Sequence, residues 1–258
     1  MPRSLEISKE VALSFRDQLR AARLKAQADS EAFGEIVFVL ERLGCYLRKE
    51  QGSLGKYEKY IVGLASQSPL FHAVPDAFRE LHIPFPILYD RVRQARNDAM
   101  HGGAAARHAT AHAVELALIL EDALMNGYDK VSDFMVRNVI CAEMWQPLSF
   151  IRQIMLASSF SCLPVKSMRD GKPLWELVPD KVLAQYLRCS PSGVALKDLL
   201  VQSLKEAKRN GFTLPEARTF GATDAVRDVL AGWDGQPVLV LRQNKGELLG
   251  ILTPYDLL

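Results

Sequence analysis

Residues 131–258 contain the same pattern twice. One copy begins with a helix-periodic run over residues 148–157 and continues into the apolar stretch Cys162-Leu163-Pro164-Val165. The other begins over residues 222–230 and continues into Gln236-Pro237-Val238-Leu239-Val240. A charged, glycine-containing turn follows each: Met168-Arg169-Asp170-Gly171-Lys172, and Gln243-Asn244-Lys245-Gly246-Glu247. Each turn leads to another apolar run and then to a proline-started helix, at Pro179-Asp180-Lys181 and Pro254-Tyr255-Asp256. Helix, strand, Gly turn, strand, helix, occurring twice, predicts a duplicated α/β unit, with a helix-rich connector over residues 181–210.

The first half is patterned differently. Phe33, Ile36, Val37, Leu40, Leu43 and Leu47 recur at spacings of three and four, which places them on one helical face. Val11, Phe15, Leu19 and Ala22 form a similar stripe over residues 5–25. A shorter helix is predicted over residues 76–81, a break at Pro84 and Pro86, and helices over 87–98 and 104–125. Residues 53–68, with scattered Gly and Ser, give the weakest signal. The sum is an all-α bundle of four or five helices, closed by Gly127-Tyr128-Asp129. The fold class is multidomain α and α/β: an all-α bundle over residues 1–127, then an α/β pair over 128–258 with copies at about 131–188 and 211–258.

Charge excludes a general nucleic-acid glue. The chain carries Lys+Arg 32 against Asp+Glu 30, net +2. Up to Gly127 the counts are 16 and 16, and beyond it 16 and 14, so nucleic-acid binding would need a local site. The longest apolar stretch, residues 113–125, is broken by Glu115, Glu121 and Asp122 and is too short to span a bilayer. Cys45, Cys141, Cys162 and Cys189 have no paired or metal-ligand spacing, and residues 1–10 have no apolar secretory core. The expectation is a cytoplasmic protein with reduced thiols and no membrane association. His108 and His112 lie four apart, but no third ligand is visible, so no metal site is assigned. Trp145, Trp175 and Trp233 read as core or interface residues.

The duplicated unit resembles a tandem pair of CBS domains (βαββα), the Bateman module. The clearest stretch is Gly250-Ile251-Leu252-Thr253-Pro254-Tyr255-Asp256. It matches the family's closing pattern of Gly, two apolar residues, Thr or Ser, two variable residues and Asp. The resemblance implies a regulatory adenine nucleotide (AMP, ATP, S-adenosylmethionine or an oligoadenylate). Asp256 would accept from the ribose hydroxyls, and Thr253 would sit by ribose or phosphate. A carboxylate can take both hydroxyls of a cis-diol, and a helix starting at Pro254 would offer free N–H groups to phosphate. A structural role is available to the same residues: Thr253 as N-cap and Pro254 in the first turn. Both can hold at once. The first copy departs from the pattern, with Trp175, Val178 and Lys181 where the second has Gly250, Thr253 and Asp256. It is expected to be dead, or to lend the Lys181 charge to a ligand held by the second copy.

In the helical half, Arg96-Asn97-Asp98-Ala99-Met100-His101 resembles the R-x4-H signature of HEPN domains. That resemblance covers about residues 30–127 and implies a homodimer or higher oligomer that cleaves RNA without metal. His101 would be general base or acid, Arg96 would hold the scissile phosphate, and Asn97 would orient one of these groups. Arg91, Arg93 and Arg107 would contact the RNA backbone. Two further readings stay open: Arg96 paired with Asp90 or Asp98 on a solvated surface, and a HEPN-like dimer without catalysis. Together the resemblances predict a nucleotide-gated endoribonuclease, suited to a toxin or phage-defence effector. The alternative is a non-catalytic nucleotide sensor whose helical half binds a partner.

Overall fold

A Ser at position 8 and an apolar residue every third or fourth position after it are enough to start and orient the first helix. The computed structural model describes residues 7–29, 32–102, 106–189, 194–243 and 245–258, without the side chains of 99–102, 106 and 107. Helix α1 (Lys9–Ala28) begins where the Ser8 hydroxyl accepts the Val11 N–H, and it buries Phe15, Leu19 and Ala22. Helix α2 (Phe33–Arg48) buries the whole stripe from Phe33 to Leu47.

Helix α3 (Leu54–Ala65) forms despite its glycines, because Leu54, Tyr57, Ile61 and Leu64 all reach the core. Gly44 makes that contact possible: a Cβ there would lie 2.4 Å from the Tyr57 ring. The short helix predicted over 76–81 is instead α4 (Ala73–Ala77). Pro75 fits its first turn, where a missing N–H costs nothing, and the Phe78 N–H closes on the Val74 carbonyl at 2.9 Å.

Helices α5 (Phe85–Gly102) and α6 (Ala106–Met125) complete the helical unit. Phe85, Leu88, Leu116 and Leu120 are fully buried in its core. Arg23 of α1 forks onto buried Glu121 of α6 at 2.8 and 3.1 Å. The Ser68 hydroxyl donates to Asp122 at 2.5 Å. By internal contacts the chain divides into Met1–Tyr128 and Asp129–Leu258.

The second unit opens with a single turn, α7 (Val131–Phe134), then α8 (Leu148–Ser158). Strands β1 (Cys162–Arg169) and β2 (Lys172–Pro179) form an antiparallel hairpin with Val165 opposite Glu176. Its turn places Asp170 and Gly171 at φ 52° and 74°, a conformation glycine takes at no steric cost. Helix α9 (Asp180–Cys189) follows, then α10 (Leu196–Leu200) and α11 (Leu204–Arg209) in the connector.

The second copy has β3 (Thr219–Gly221), α12 (Val226–Leu230), β4 (Val238–Leu241) and β5 (Leu248–Leu252). Strand β3 runs parallel to β4, and β4 antiparallel to β5. The leading strand of the first copy is reduced to a bridge between Ala142 and Val165. The second helix starts at Val226 rather than at residue 222. Residues 222–224 form a turn and Ala225 is extended, with the Ala222 and Asp224 carbonyls accepting from Ser132 at 3.0 Å and Val131 at 2.9 Å.

The two copies exchange their lead-in segments. Val131 N–H donates to Asp224 O, and Leu204 N–H donates to Gln146 O, both at 2.9 Å. Val136 pairs with Ile251 of β5, just as Glu216 pairs with Glu176 of β2. Each copy is thus completed by the chain that precedes the other. These bonds also fix the equivalences: Ile251 stands where Glu176 stands, so Gly250 matches Trp175 and Asp256 matches Lys181.

Candidate functional site

The second copy brings its two predicted residues together. Strand β5 ends at Leu252, and Thr253 is extended (φ −116°, ψ 163°) before a four-residue 3-10 turn, Pro254–Leu257. Asp256, only 6% exposed, receives the Thr253 N–H and the Thr253 hydroxyl, both on Oδ2 at 2.8 Å. The carboxylate is therefore held in one orientation by donors three residues back. The hydrogen bonds of the structural role fall on the pair for which a binding role is expected. The expected helix after Pro254 is a single 3-10 turn, and the Thr253 N–H is taken by Asp256. Gly250 explains its own identity: a Cβ there would meet Met135 Sδ and the Val136 carbonyl, each at 2.8 Å.

The first copy lacks these groups. Val178 is fully buried in the core, and Lys181 is exposed on α9. The carboxylate available there, Asp180, accepts the Lys181 N–H at 2.5 Å. Sequence reasoning missed what replaces them. Glu176, with 4% of its side chain exposed, is paired with Lys208 of α11. These two border a depression of about 290 Å³ with Ser167, Leu174 and Phe212. The spacing between Glu176 and Lys208 gave no signal, because 32 residues separate them and only the lead-in exchange joins them.

In the helical unit, Arg96 and Asn97 lie on α5. Arg96 Nη2 meets Glu41 Oε1 of α2 at 3.1 Å, with 39% of the Arg side chain still exposed. Its partner is thus neither Asp90 nor Asp98. Asp90 instead holds Arg93, and accepts from Gln94 at 2.6 Å. Asn97 is exposed. His101 belongs to α5, but its side chain lies outside the described ones, as does that of Arg107.

Arg91 and Arg93, expected on an RNA backbone, are engaged within the protein. Arg91 Nη1 is 3.0 Å from His112 Nε2, and Arg93 reaches Asp90 and Glu58. Burial, then the Arg91 charge, hold the His112 imidazole below its ordinary value. His108 is exposed, and no group of three metal-ligating side chains occurs among the described residues. Trp145 is 72% exposed rather than core. Trp175 and Trp233 are half-buried and donate to the carbonyls of Gly246 and Gln236. No helix among the described residues is long and apolar enough to cross a membrane.

No family model matches the chain. No curated protein matches it either. Several solved structures resemble about half of it. A hemolysin-like protein containing a CBS domain, from Oenococcus oeni, is 16% identical, with TM-score 0.38, over 52% of this chain and 89% of that one. CBSX2 in complex with AMP is 17% identical, with TM-score 0.37, over 50% and 93%. The CBS domain pair of MJ0100, with 5′-methylthioadenosine and S-adenosyl-L-methionine, is 16% identical, with TM-score 0.37, over 50% and 91%.

Proposed function

We propose that residues 129–258 are a CBS domain pair that senses an adenine nucleotide, with one competent site in the second copy. The observation that carries this reading is the Thr253–Asp256 pair: a buried carboxylate fixed at the end of β5 by two donors. A carboxylate is an acceptor suited to ribose hydroxyls. The loss of both groups in the first copy supports a single site. The adenosine ligands named with CBSX2 and MJ0100 belong to the same chemical class. The expected result is a rise in melting temperature and a calorimetric binding isotherm with AMP, ATP or S-adenosylmethionine, at one ligand per chain. Asp256→Ala should weaken both. Binding unaffected by Asp256→Ala would overturn the assignment.

The helical unit is then the output. RNA cleavage by a HEPN-like dimer is favoured by one observation: Arg96 presents part of its guanidinium to solvent and is held by Glu41. A phosphate could take it from that carboxylate. In this reading His101 moves the proton of the RNA 2′-hydroxyl, Arg96 neutralises the charge that develops on phosphate, and Asn97 orients. The nucleotide gates the step by binding one dimer geometry better than another. A cytoplasmic toxin or defence effector would use such a device. The test is cleavage of a mixed RNA pool without metal, with and without nucleotide. Wild type should cut, and Arg96→Ala and His101→Ala should not. A wild type that never cuts leaves the non-catalytic sensor, with the helical unit as its partner-binding or dimerising half.

A further inference from the structure

The cations of the helical unit differ in what they face. Arg23, Arg93 and Arg96 face carboxylates on neighbouring helices. Arg42, Lys49, Lys56 and Lys59, all exposed, face no carboxylate among the described residues. They cluster on the end of α2 and on α3. Residues 42–60 hold five Lys or Arg against two Glu, in a chain whose net charge is only +2. Local charge is therefore concentrated where the total gives no sign of it.

Aromatic rings lie among these cations. Lys49 Nζ sits 3.9 Å from the Tyr46 ring centroid, Lys59 Nζ 4.8 Å from that of Tyr60, and the Arg42 guanidinium 5.7 Å from that of Phe38. Tyr46 and Tyr60 are half-buried. Arg48, Glu50, Lys56, Lys59 and Tyr60 line a depression of about 470 Å³.

The corner is built rather than incidental. Arg48 donates to the Gln51 carbonyl at 3.0 Å and pairs with Glu50 at 2.5 Å. Gly52 lies close to the Arg48 guanidinium, with an added Cβ 2.6 Å from Nη1. The Gly52 N–H donates to the Tyr57 hydroxyl at 2.5 Å, which pins the loop to α3. Lys56 and Lys59 lie three apart on α3, on one helical face.

We infer that this corner of α2 and α3 binds single-stranded nucleic acid. Lys56 and Lys59 would contact phosphodiesters, and Tyr60 would offer a ring face for a base. Unpaired cations interleaved with aromatic faces suit a flexible polyanion whose bases are free to stack, and suit neither an apolar peptide nor a metal. The site takes over the backbone-binding role that Arg91 and Arg93 cannot fill while they are engaged within the protein. It is independent of whether His101 cuts RNA.

The test is fluorescence anisotropy of the full chain with a labelled single-stranded oligouridine at low salt. Its riboses carry 2′-O-methyl groups, so it cannot be cut through its own hydroxyl. Wild type should bind. Lys56→Glu combined with Lys59→Glu should weaken binding by about tenfold or more, with a log–log salt slope flatter by about 1.4. Both positions are exposed, and an unchanged cooperative melt will show that the variant folds. Because this probe cannot be cut, the anisotropy reads binding apart from cleavage. Lack of binding at low salt, or charge reversal that leaves affinity and slope unchanged, would overturn the inference. So would displacement of the oligouridine by an acidic peptide of equal charge as readily as by unlabelled oligouridine.

Discussion

The two copies of the repeat share a backbone plan and differ in what they bury at equivalent positions. Where the second copy has Gly250, Ile251 and Asp256, the first has Trp175, Glu176 and Lys181. The lead-in segments changed with them: Met135 crowds Gly250 in the second copy, and Lys208 pairs with Glu176 in the first. The first copy thus holds an ion pair between its hairpin and α11, and a long hairpin of two eight-residue strands. The second has shorter strands, a bulge near Val240 and Leu241, and an oriented carboxylate at its end. One backbone can therefore hold a buried ion pair in one copy and an oriented carboxylate in the other, because the exchanged segment decides what each sheet face must accommodate.

The sharpest way to break this comparison is Lys208→Met, which gives the first copy the residue of the second but strands Glu176. Removing one partner of a buried pair leaves an uncompensated charge. Because a quarter of the Lys208 side chain reaches water, the cost should fall near the lower end, about 3 kcal/mol in urea unfolding. Adding Glu176→Ile, to complete the mimicry, should recover most of that loss. If the single and double variants are equally unstable, the pair is not what differs between the copies.

Next in size is Asp256→Ala. Losing a charged acceptor should weaken AMP binding by about thirtyfold, or ~2 kcal/mol, by calorimetry. Lys181→Ala, at the equivalent position of the first copy, should leave AMP affinity unchanged. Equal effects from both would mean that the copies share one ligand. Gly250→Ala should cost about 1–2 kcal/mol through overpacking, since the Val136 carbonyl it meets is backbone and cannot rotate away. The same test at the first copy, Trp175→Ala, removes bulk instead and should not show that strain.

The smallest effect concerns Cys162 at the start of β1. Burial first, then nearby Asp180, push its thiol up to about 12. The folded state therefore keeps a proton that the unfolded state gives up. Stability from this group is fully present below the ordinary thiol value and is lost as pH climbs toward about 12. At about pH 8, exposed Cys189 should react with a thiol reagent well before Cys162. Equal rates would show that the edge of β1 opens freely.

Periodicity was enough for the helices whose apolar stripe is continuous. Phe33 to Leu47 predicted α2 closely, because each residue of the stripe is buried. It was not enough for α3, where Gly55 and Gly63 weaken the local signal and burial of Tyr57 and Ile61 overrides it. It misplaced α4, where Pro75 at the first turn sets the start. In the second unit the paired apolar runs and glycine turns predicted both hairpins. Residues 222–225 read as helix because their composition allows it, yet residues 222–224 form a turn whose Ala222 and Asp224 carbonyls accept from Ser132 and Val131.

The sequence by itself determined the duplication, the hairpins and the contrast between Thr253–Asp256 and Val178–Lys181. Those depend on neighbours a few residues apart, and short-range periodicity and turn chemistry record them. Only the tertiary structure decided which charges are spent. Arg96 meets Glu41 across 55 residues, Glu176 meets Lys208 across 32, and Arg91 meets His112 across 21. It also decided which cations remain unspent, on the corner of α2 and α3. A side chain's charge is local, but its partner is chosen by how the helices pack, and no spacing in a single chain encodes that choice.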